Sequence, residues 1–248
     1  MPHATEFARQ WAGIVAQVRL FGAHAPRAKL IEGDGMVACV MRAAPTSSLM
    51  NAALSIDPAA PPTNLRRLSD SFRQAGAQKW GVWVDGDDAN AAAAATKHGL
   101  VLDSRPAAMV VSLDGLPFDD APPKQTADLA TVGRINDAAY GYEPPKLAPA
   151  ITALPQTVIA YGASHDGATA SVAMAHDVGN DTAVWFVATL PHAQRNGLAA
   201  AILKRLLLDA RERGQTTASL QASPKGRPLY ERLGFTTVGS LHLYEERF

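Results

Sequence analysis

Thr189-Leu190-Pro191-His192-Ala193-Gln194-Arg195-Asn196-Gly197-Leu198-Ala199 joins a strand to a helix, and this junction decides how the chain is read. Upstream, Ala183–Ala188 is a dense apolar run that predicts a buried strand. Downstream, Leu198, Ile202, Leu203, Leu206, Leu207 and Ala210 follow the 3.6-residue period of a helix running to Arg213. Gly214 is placed to close that helix. A turn of this kind leaves backbone N–H groups unpaired at the positive end of a helix dipole, where an anion is stabilised. Small residues at Gly197 and Ala199 let the backbone approach a bulky anion. Arg195 adds a fixed charge and Asn196 an amide. Taken alone, an ordinary strand-to-helix turn with a glycine has the same appearance.

The spacing Gln194-x-x-Gly197-x-Ala199 resembles the pyrophosphate loop of the GNAT acyltransferase superfamily. Further along, Thr216–Ala222 predicts another strand, followed by Ser223-Pro224-Lys225-Gly226 and then Leu229-Tyr230-Glu231-Arg232-Leu233-Gly234-Phe235. That ending resembles the superfamily's L-Y-x-x-L-G-F helix and turn. The resemblance covers residues 122–248. It implies an α/β fold with a mixed sheet and acetyl-CoA as co-substrate. The diphosphate would be gripped by Gln194, Arg195, Asn196, Gly197, Leu198 and Ala199. The backbone of Val187, Ala188 and Thr189 would run beside the thioester, on a fourth strand splayed from the fifth. Tyr230 would protonate the departing thiolate. Many members carry a cofactor-contacting asparagine where this chain has Ser223, a shorter hydrogen-bonding side chain.

Composition narrows the partners. Lysine plus arginine equals aspartate plus glutamate at 23 each, so no global field recruits nucleic acid or an acidic membrane. Cys39 is the single cysteine, which excludes an internal disulfide and a cysteine metal site and fits a reducing compartment. Met1–Trp11 has no apolar signal core, and no apolar segment approaches the roughly 20 residues of a membrane span. The expectation is a cytoplasmic protein without a membrane partner. The histidines are scattered without H-E-x-x-H spacing and no Gly-x-Ser-x-Gly occurs, so neither a metal nor a serine nucleophile is expected.

Asp114–Gln125, with Gly115, Pro117, Pro122 and Pro123, reads as a connector. It separates residues 1–118 from a coenzyme A-binding half at 122–248. Sliding the chain by 138 residues sets Leu65, Arg67, Leu68, Arg73 and Gly76 on Leu203, Arg205, Leu206, Arg211 and Gly214. Each helix is then followed by a strand, Lys79–Val84 and Thr217–Ala222. The chain therefore reads as a tandem pair whose first copy is degenerate. Ile56-Asp57-Pro58-Ala59-Ala60-Pro61 replaces the anion loop, with two prolines that lack N–H groups and one repelling carboxylate. After a further three-residue shift, which sets His98-Gly99-Leu100 on Leu233-Gly234-Phe235, Ala95 falls where Tyr230 stands. The first copy is expected to act as a scaffold that shapes the acceptor pocket.

In the second half a short strand near Lys124–Thr126 and a helix from Asp128 to Ala139 precede strands Thr157–Ala163, Ala168–His176 and Thr182–Leu190. Turns at Ser164–Gly167 and Asp177–Asp181 connect these strands. Transfer of an acyl group to an amine needs proton removal from an ammonium of pKa about 10.4 and stabilisation of a thiolate of pKa about 8.5. Tyr230 suits the second task. For the first, Glu143 lies in the region that the resemblance assigns to the acceptor. His176, Asp177, Asp181 and His192 are further carriers of a proton, His192 reading first as a surface or phosphate contact. The sequence thus points to an acetyl-CoA-dependent N-acyltransferase that moves an acetyl group directly to a primary amine, small molecule or peptide, in a ternary complex. An idle acyl-CoA-binding sensor or assembly module on the same fold is the alternative.

Overall fold

The computed structural model of the protein describes residues 2–248, with side chains from Thr5 onward. The first half runs helix α1 (Pro2–His24), strands β1 (Ala28–Gly33), β2 (Met36–Met41) and β3 (Ala52–Ser55), and helix α2 (Leu65–Gln74). It continues with strand β4 (Lys79–Asp85), helix α3 (Ala89–Lys97), and strands β5 (Val101–Ser104) and β6 (Ala107–Ser112). The second half holds helices α4 (Leu129–Tyr140) and α5 (Ala148–Ile151), then strands β7 (Val158–His165), β8 (Ala168–Val178) and β9 (Asp181–Thr189). Helix α6 (Leu198–Glu212), strand β10 (Thr217–Ala222), helix α7 (Arg227–Arg232) and strand β11 (Thr236–Arg247) complete it.

Local chemistry sets these boundaries. Helix α4 starts where the Asp128 carboxylate accepts the Thr131 N–H at 2.6 Å, and stops at left-handed Gly141. The β7–β8 hairpin turns through Asp166 and Gly167, both at positive φ, the type I′ geometry that matches strand twist. The expected strand at Lys124–Thr126 shrinks to one bridge, Thr126 to Tyr161. Pro122 and Pro123 just before it have no N–H with which to extend a ladder.

The strands form one mixed sheet in the order β1-β2-β3-β4-β11-β6-β10-β9-β8-β7, with β5 also on β11. Each half contains a parallel pair, β3 with β4 and β9 with β10. The halves exchange their last strands. β6 of the first half lies between β10 and β11 of the second, and β11 lies against β4 of the first. β5 and β6 together run antiparallel to β11 from Glu245 back to Thr236, with a break at Arg105–Pro106 and register shifts at Leu243/Tyr244 and Thr237/Gly239.

Strand alternation divides the core into layers. On one face, α1, α4 and α5 cover both halves. On the other, α6 and α7 cover the second half, and α2 and α3 cover the first. Helix α1 presents Phe7, Trp11, Ile14, Val18 and Phe21, spaced for one helical face, and the Trp11 indole donates to the Ser55 carbonyl at 2.8 Å. No described helix is long and apolar enough to cross a membrane.

Candidate active site

Strand β9 pairs with β10 only from Asp181 to Val184, while β10 continues along β6 through Gln221 and Ala222. Beyond Val184 the two parallel strands part, leaving a wedge-shaped gap. On its other edge β9 is bulged. Val172 faces Ala188 and Met174 faces Trp185, so Phe186 and Val187 oppose Ala173 alone. Phe186 sits at φ 52°, an uncommon conformation for a bulky residue, of the kind found where a strand is bent for function. Helix α1 holds the bend: the Phe21 ring stacks on Phe186 at 5.9 Å and meets Trp185 edge-on at 6.4 Å. The Leu190 N–H donates to the Ala170 carbonyl at 2.9 Å. Alternation from that bond turns the backbone of Ala188 toward β8 and that of Thr189 toward the gap, while Val187, within the bulge, lines the cavity.

The gap ends at the loop before α6. Gln194, Arg195, Asn196 and Gly197 are exposed, and Arg195 and Gly197 lie at φ 67° and 75°. Gly197 is the N-cap of α6 and supplies no side-chain oxygen, so the first-turn N–H groups of this 15-residue helix stay open. A Cβ at Gly197 would meet nothing within 4 Å, so the space over the helix end is free. Gln194 Nε2 donates to the Thr189 carbonyl at 3.2 Å and Asn196 Nδ2 to the Ala193 carbonyl at 3.2 Å. Those amides brace the loop, and its backbone is what faces outward. A diphosphate fits this cradle.

Across the gap, the turn after β10 positions Ser223 and Tyr230. The Ser223 hydroxyl accepts the Gly226 N–H at 3.2 Å, and the Tyr230 ring packs edge-on against Phe235 at 5.9 Å. Tyr230 is 8% exposed. Burial, reinforced by the nearby Tyr140, raises its hydroxyl well above the ordinary phenol range. Tyr230 is therefore held protonated, as a proton or hydrogen-bond donor.

Val187, Ser223 and Tyr230 line a cavity of about 760 Å³ that extends from the gap to the junction of the two halves. The first half supplies part of its wall through Ser47, Leu49, Met50, Trp83 and Leu102–Pro106. The second supplies Asn136, Tyr140, Tyr142, Lys146 and Trp185. Tyr140 stacks on Tyr142 at 5.7 Å, and the Lys146 ammonium lies over the Tyr142 ring at 4.1 Å. The loop carrying them is tied down by buried Asp137, whose carboxylate accepts the N–H groups of Lys146, Leu147 and Ala148 at 2.8–3.1 Å.

Other residues singled out from sequence lie elsewhere. Glu143 is exposed on the loop after α4 and does not line the cavity, although Tyr142 and Lys146 on either side do. Ala188 is buried in the core and Thr189 lies at the loop end of β9. Asp181 begins β9 and Asp177 lies beside it near the end of β8, both away from the loop. Burial acts to raise the Asp177 carboxyl, but two hydrogen bonds from Arg213 and one from Thr182 outweigh it and hold the carboxyl low. Asp181 joins β9 to β10 through Thr217 and Ser219 at 2.7 and 2.6 Å, and burial raises it. His176 rests on Trp185, 5.5 Å between rings, and His192 on the loop is 6.3 Å from the His165 ring. Among the described residues no three His, Cys, Asp or Glu side chains cluster as metal ligands. The cavity residues absent from the sequence reading include Trp83, Asn136 and Arg105. Asn136 had a legible signal, since it shares a helical face with Val132 and Ile135.

Residues 151–245 match the family model described as Acetyltransferase (GNAT) domain. The chain is similar in structure to a GCN5-related N-acetyltransferase from Kribbella flavida, at TM-score 0.66 and 20% identity over 95% of each chain. It is also similar to a GCN5-related N-acetyltransferase from Sphaerobacter thermophilus, at TM-score 0.60 and 15% identity over 86% of this chain and 76% of that one. A GCN5-related N-acetyltransferase-like protein from Streptococcus suis matches at TM-score 0.58 and 14% identity over 99% of each chain. No curated protein matches. These likenesses carry the fold, and they span both halves.

Proposed function

We propose that the protein, whose residues 151–245 match the Acetyltransferase (GNAT) domain model, is an acetyl-CoA-dependent N-acyltransferase transferring an acetyl group directly to a primary amine. The observation that carries this reading is one continuous path. It runs from the uncapped helix end at Gly197, along the unpaired edge of β9, to the Tyr230 hydroxyl and the cavity beyond.

Each part has a task. The backbone N–H groups from Arg195 to Ala200 hold the diphosphate at the helix end. The backbone at Val187 and Thr189 orients the acyl arm, and an N–H at the bulge stabilises charge developing on the carbonyl oxygen. When bound, acetyl-CoA supplies an activated acyl carbon. The amine nitrogen forms a bond to that carbon as the C–S bond breaks, the amine loses a proton to solvent or a carboxylate, and the sulfur takes one. At pH 7.4 roughly one free alkylamine in a thousand is neutral, a cost of about 4 kcal/mol. An apolar cavity lowers that cost by favouring the neutral amine. Burial that raises the Tyr230 hydroxyl also raises a thiolate placed beside it, so the match between donor and leaving group is retained in the pocket.

Incubation with acetyl-CoA and a broad panel of amines, following free thiol, tests the reading. Amine-dependent thiol release with a mass gain of one acetyl group is expected. Tight acetyl-CoA binding with no turnover on any amine would assign the fold to a sensor or assembly role instead.

A further inference from the structure

The far side of the cavity is apolar and aromatic, built from Trp83, Trp185, Phe186, Leu49, Met50 and Leu147. Into it faces one polar side chain with unusual surroundings. Asn136 is 4% exposed, and neither of its amide atoms is sealed in the core. Buried polar neighbours are accounted for within the chain: Asn51 bonds Met41, Ala44 and Ser47, Asp137 caps the next loop, and Ser48 donates to Glu245. The Asn136 carboxamide has no such partner among the described residues. A carboxamide on the cavity wall with no partner in the chain keeps its donor and acceptor free for a ligand. A few such polar groups in an apolar pocket are what orient a ligand.

Charge narrows the ligand. Asp103 is the single carboxylate on the cavity wall among the described residues, and it is exposed at the rim. Arg105 and Lys146 stand at the same wall. The interior therefore offers no carboxylate to an ammonium group, and the rim disfavours a ligand with additional positive charge. A neutral amine donates N–H to a carboxamide oxygen. Flat indole faces at Trp83 and Trp185 suit a ring-bearing body.

Resting on the acyltransferase reading, we propose that the acceptor is a monocationic primary amine on an apolar, aromatic body. It is taken up between the halves with its nitrogen at the Asn136 carboxamide, which makes Asn136 an acceptor-binding, specificity-determining residue. The full-length protein is assayed at saturating acetyl-CoA with 2-phenylethylamine, spermidine and a lysine-containing peptide. The expected kcat/KM for 2-phenylethylamine exceeds that for the other two by 100-fold or more. Asn136→Leu, which keeps the bulk and deletes the amide, raises the 2-phenylethylamine KM at least 10-fold, with the acetyl-CoA Kd in calorimetry unchanged within twofold. If Asn136→Leu loses acetyl-CoA binding through misfolding, Asn136→Ser is judged by the same thresholds. Equal or better use of spermidine or the peptide overturns the proposal, as does an unchanged acceptor KM in the folded variant. Wild-type protein that binds no acetyl-CoA would instead sink the acyltransferase reading itself, which separates the two failures.

Discussion

In the proposed reaction Tyr230 and Gly197 are the two residues on which the chemistry turns, and each yields a separate expectation. Tyr230→Phe keeps the ring against Phe235 and removes only the hydroxyl. It is expected to lower kcat by about 10- to 1,000-fold, the range of a lost proton donor, while steady-state kinetics show the KM for acetyl-CoA unchanged. The pH profile has a defined sign. Because burial first, then Tyr140, holds the Tyr230 hydroxyl above its ordinary range, it stays protonated through pH 10. The log of kcat/KM should climb with pH toward the acceptor amine's own pKa and show no alkaline fall below pH 10. A falling limb near pH 9 in wild type, absent in Tyr230→Phe, would place the hydroxyl lower than its surroundings dictate. Gly197→Glu should raise the acetyl-CoA Kd at least 100-fold in calorimetry. A Cβ at this position meets no atom within 4 Å, but the added carboxylate stands at the anion end of α6. Strain at φ 75° costs about 1–2 kcal/mol for a residue with a Cβ, small enough for the variant to fold. Unaltered affinity would remove the loop from the site.

At the scale of elements, the site exists because β9 is bent away from β10 while everything around it is fixed. Phe21 of α1 fastens the bulge, and the Asp137 carboxylate fastens the loop that carries Tyr142 and Lys146. Asp137→Ala leaves three N–H groups without their acceptor. It should cost about 2–3 kcal/mol of stability, the scale of hydrogen bonds to a charged group, read as a lower denaturant midpoint. The loosened wall should raise the acceptor KM more than the acetyl-CoA KM; an equal rise in both would disconnect this loop from the acceptor. The strand–loop–helix unit from Ala183 to Arg213 was legible in sequence because period, glycine and cap agree locally. The neighbourhood of Glu143 points to the acceptor site, but the structure leaves Glu143 exposed together with Pro144 and Pro145. Trp83 and Arg105 could not be read as cavity residues at all. Their place depends on strand partners more than 130 residues away in sequence, and pairing over that separation leaves no local periodicity.

For the whole molecule, the exchange of last strands decides what the first half is for. β6 carries Met109 and Val111 into the core beneath α6, and Ala108 and Val110 into the core beneath α1. Cutting the chain at residue 122 would leave β10 and β11 without the strand that joins them, exposing two ladders of unpaired backbone and an apolar face. The first half also lacks an anion cradle of its own. Its helix α2 begins at left-handed Asn64, as α6 begins at left-handed Gly197, but the Asp34 carboxylate already accepts from Asn64 Nδ2 at 2.7 Å. A phosphate there would meet a negative charge in place of open N–H groups. Calorimetry on the full chain should give one coenzyme A per molecule. A fragment of residues 122–248 made alone should be insoluble or aggregated, and co-expression with residues 1–118 should return soluble, active protein by supplying β4 and β6 in trans. Two binding sites per chain would contradict the division of labour between the halves. A soluble, monomeric and fully active 122–248 fragment would show that the central strands are not needed to hold the wedge between β9 and β10 open.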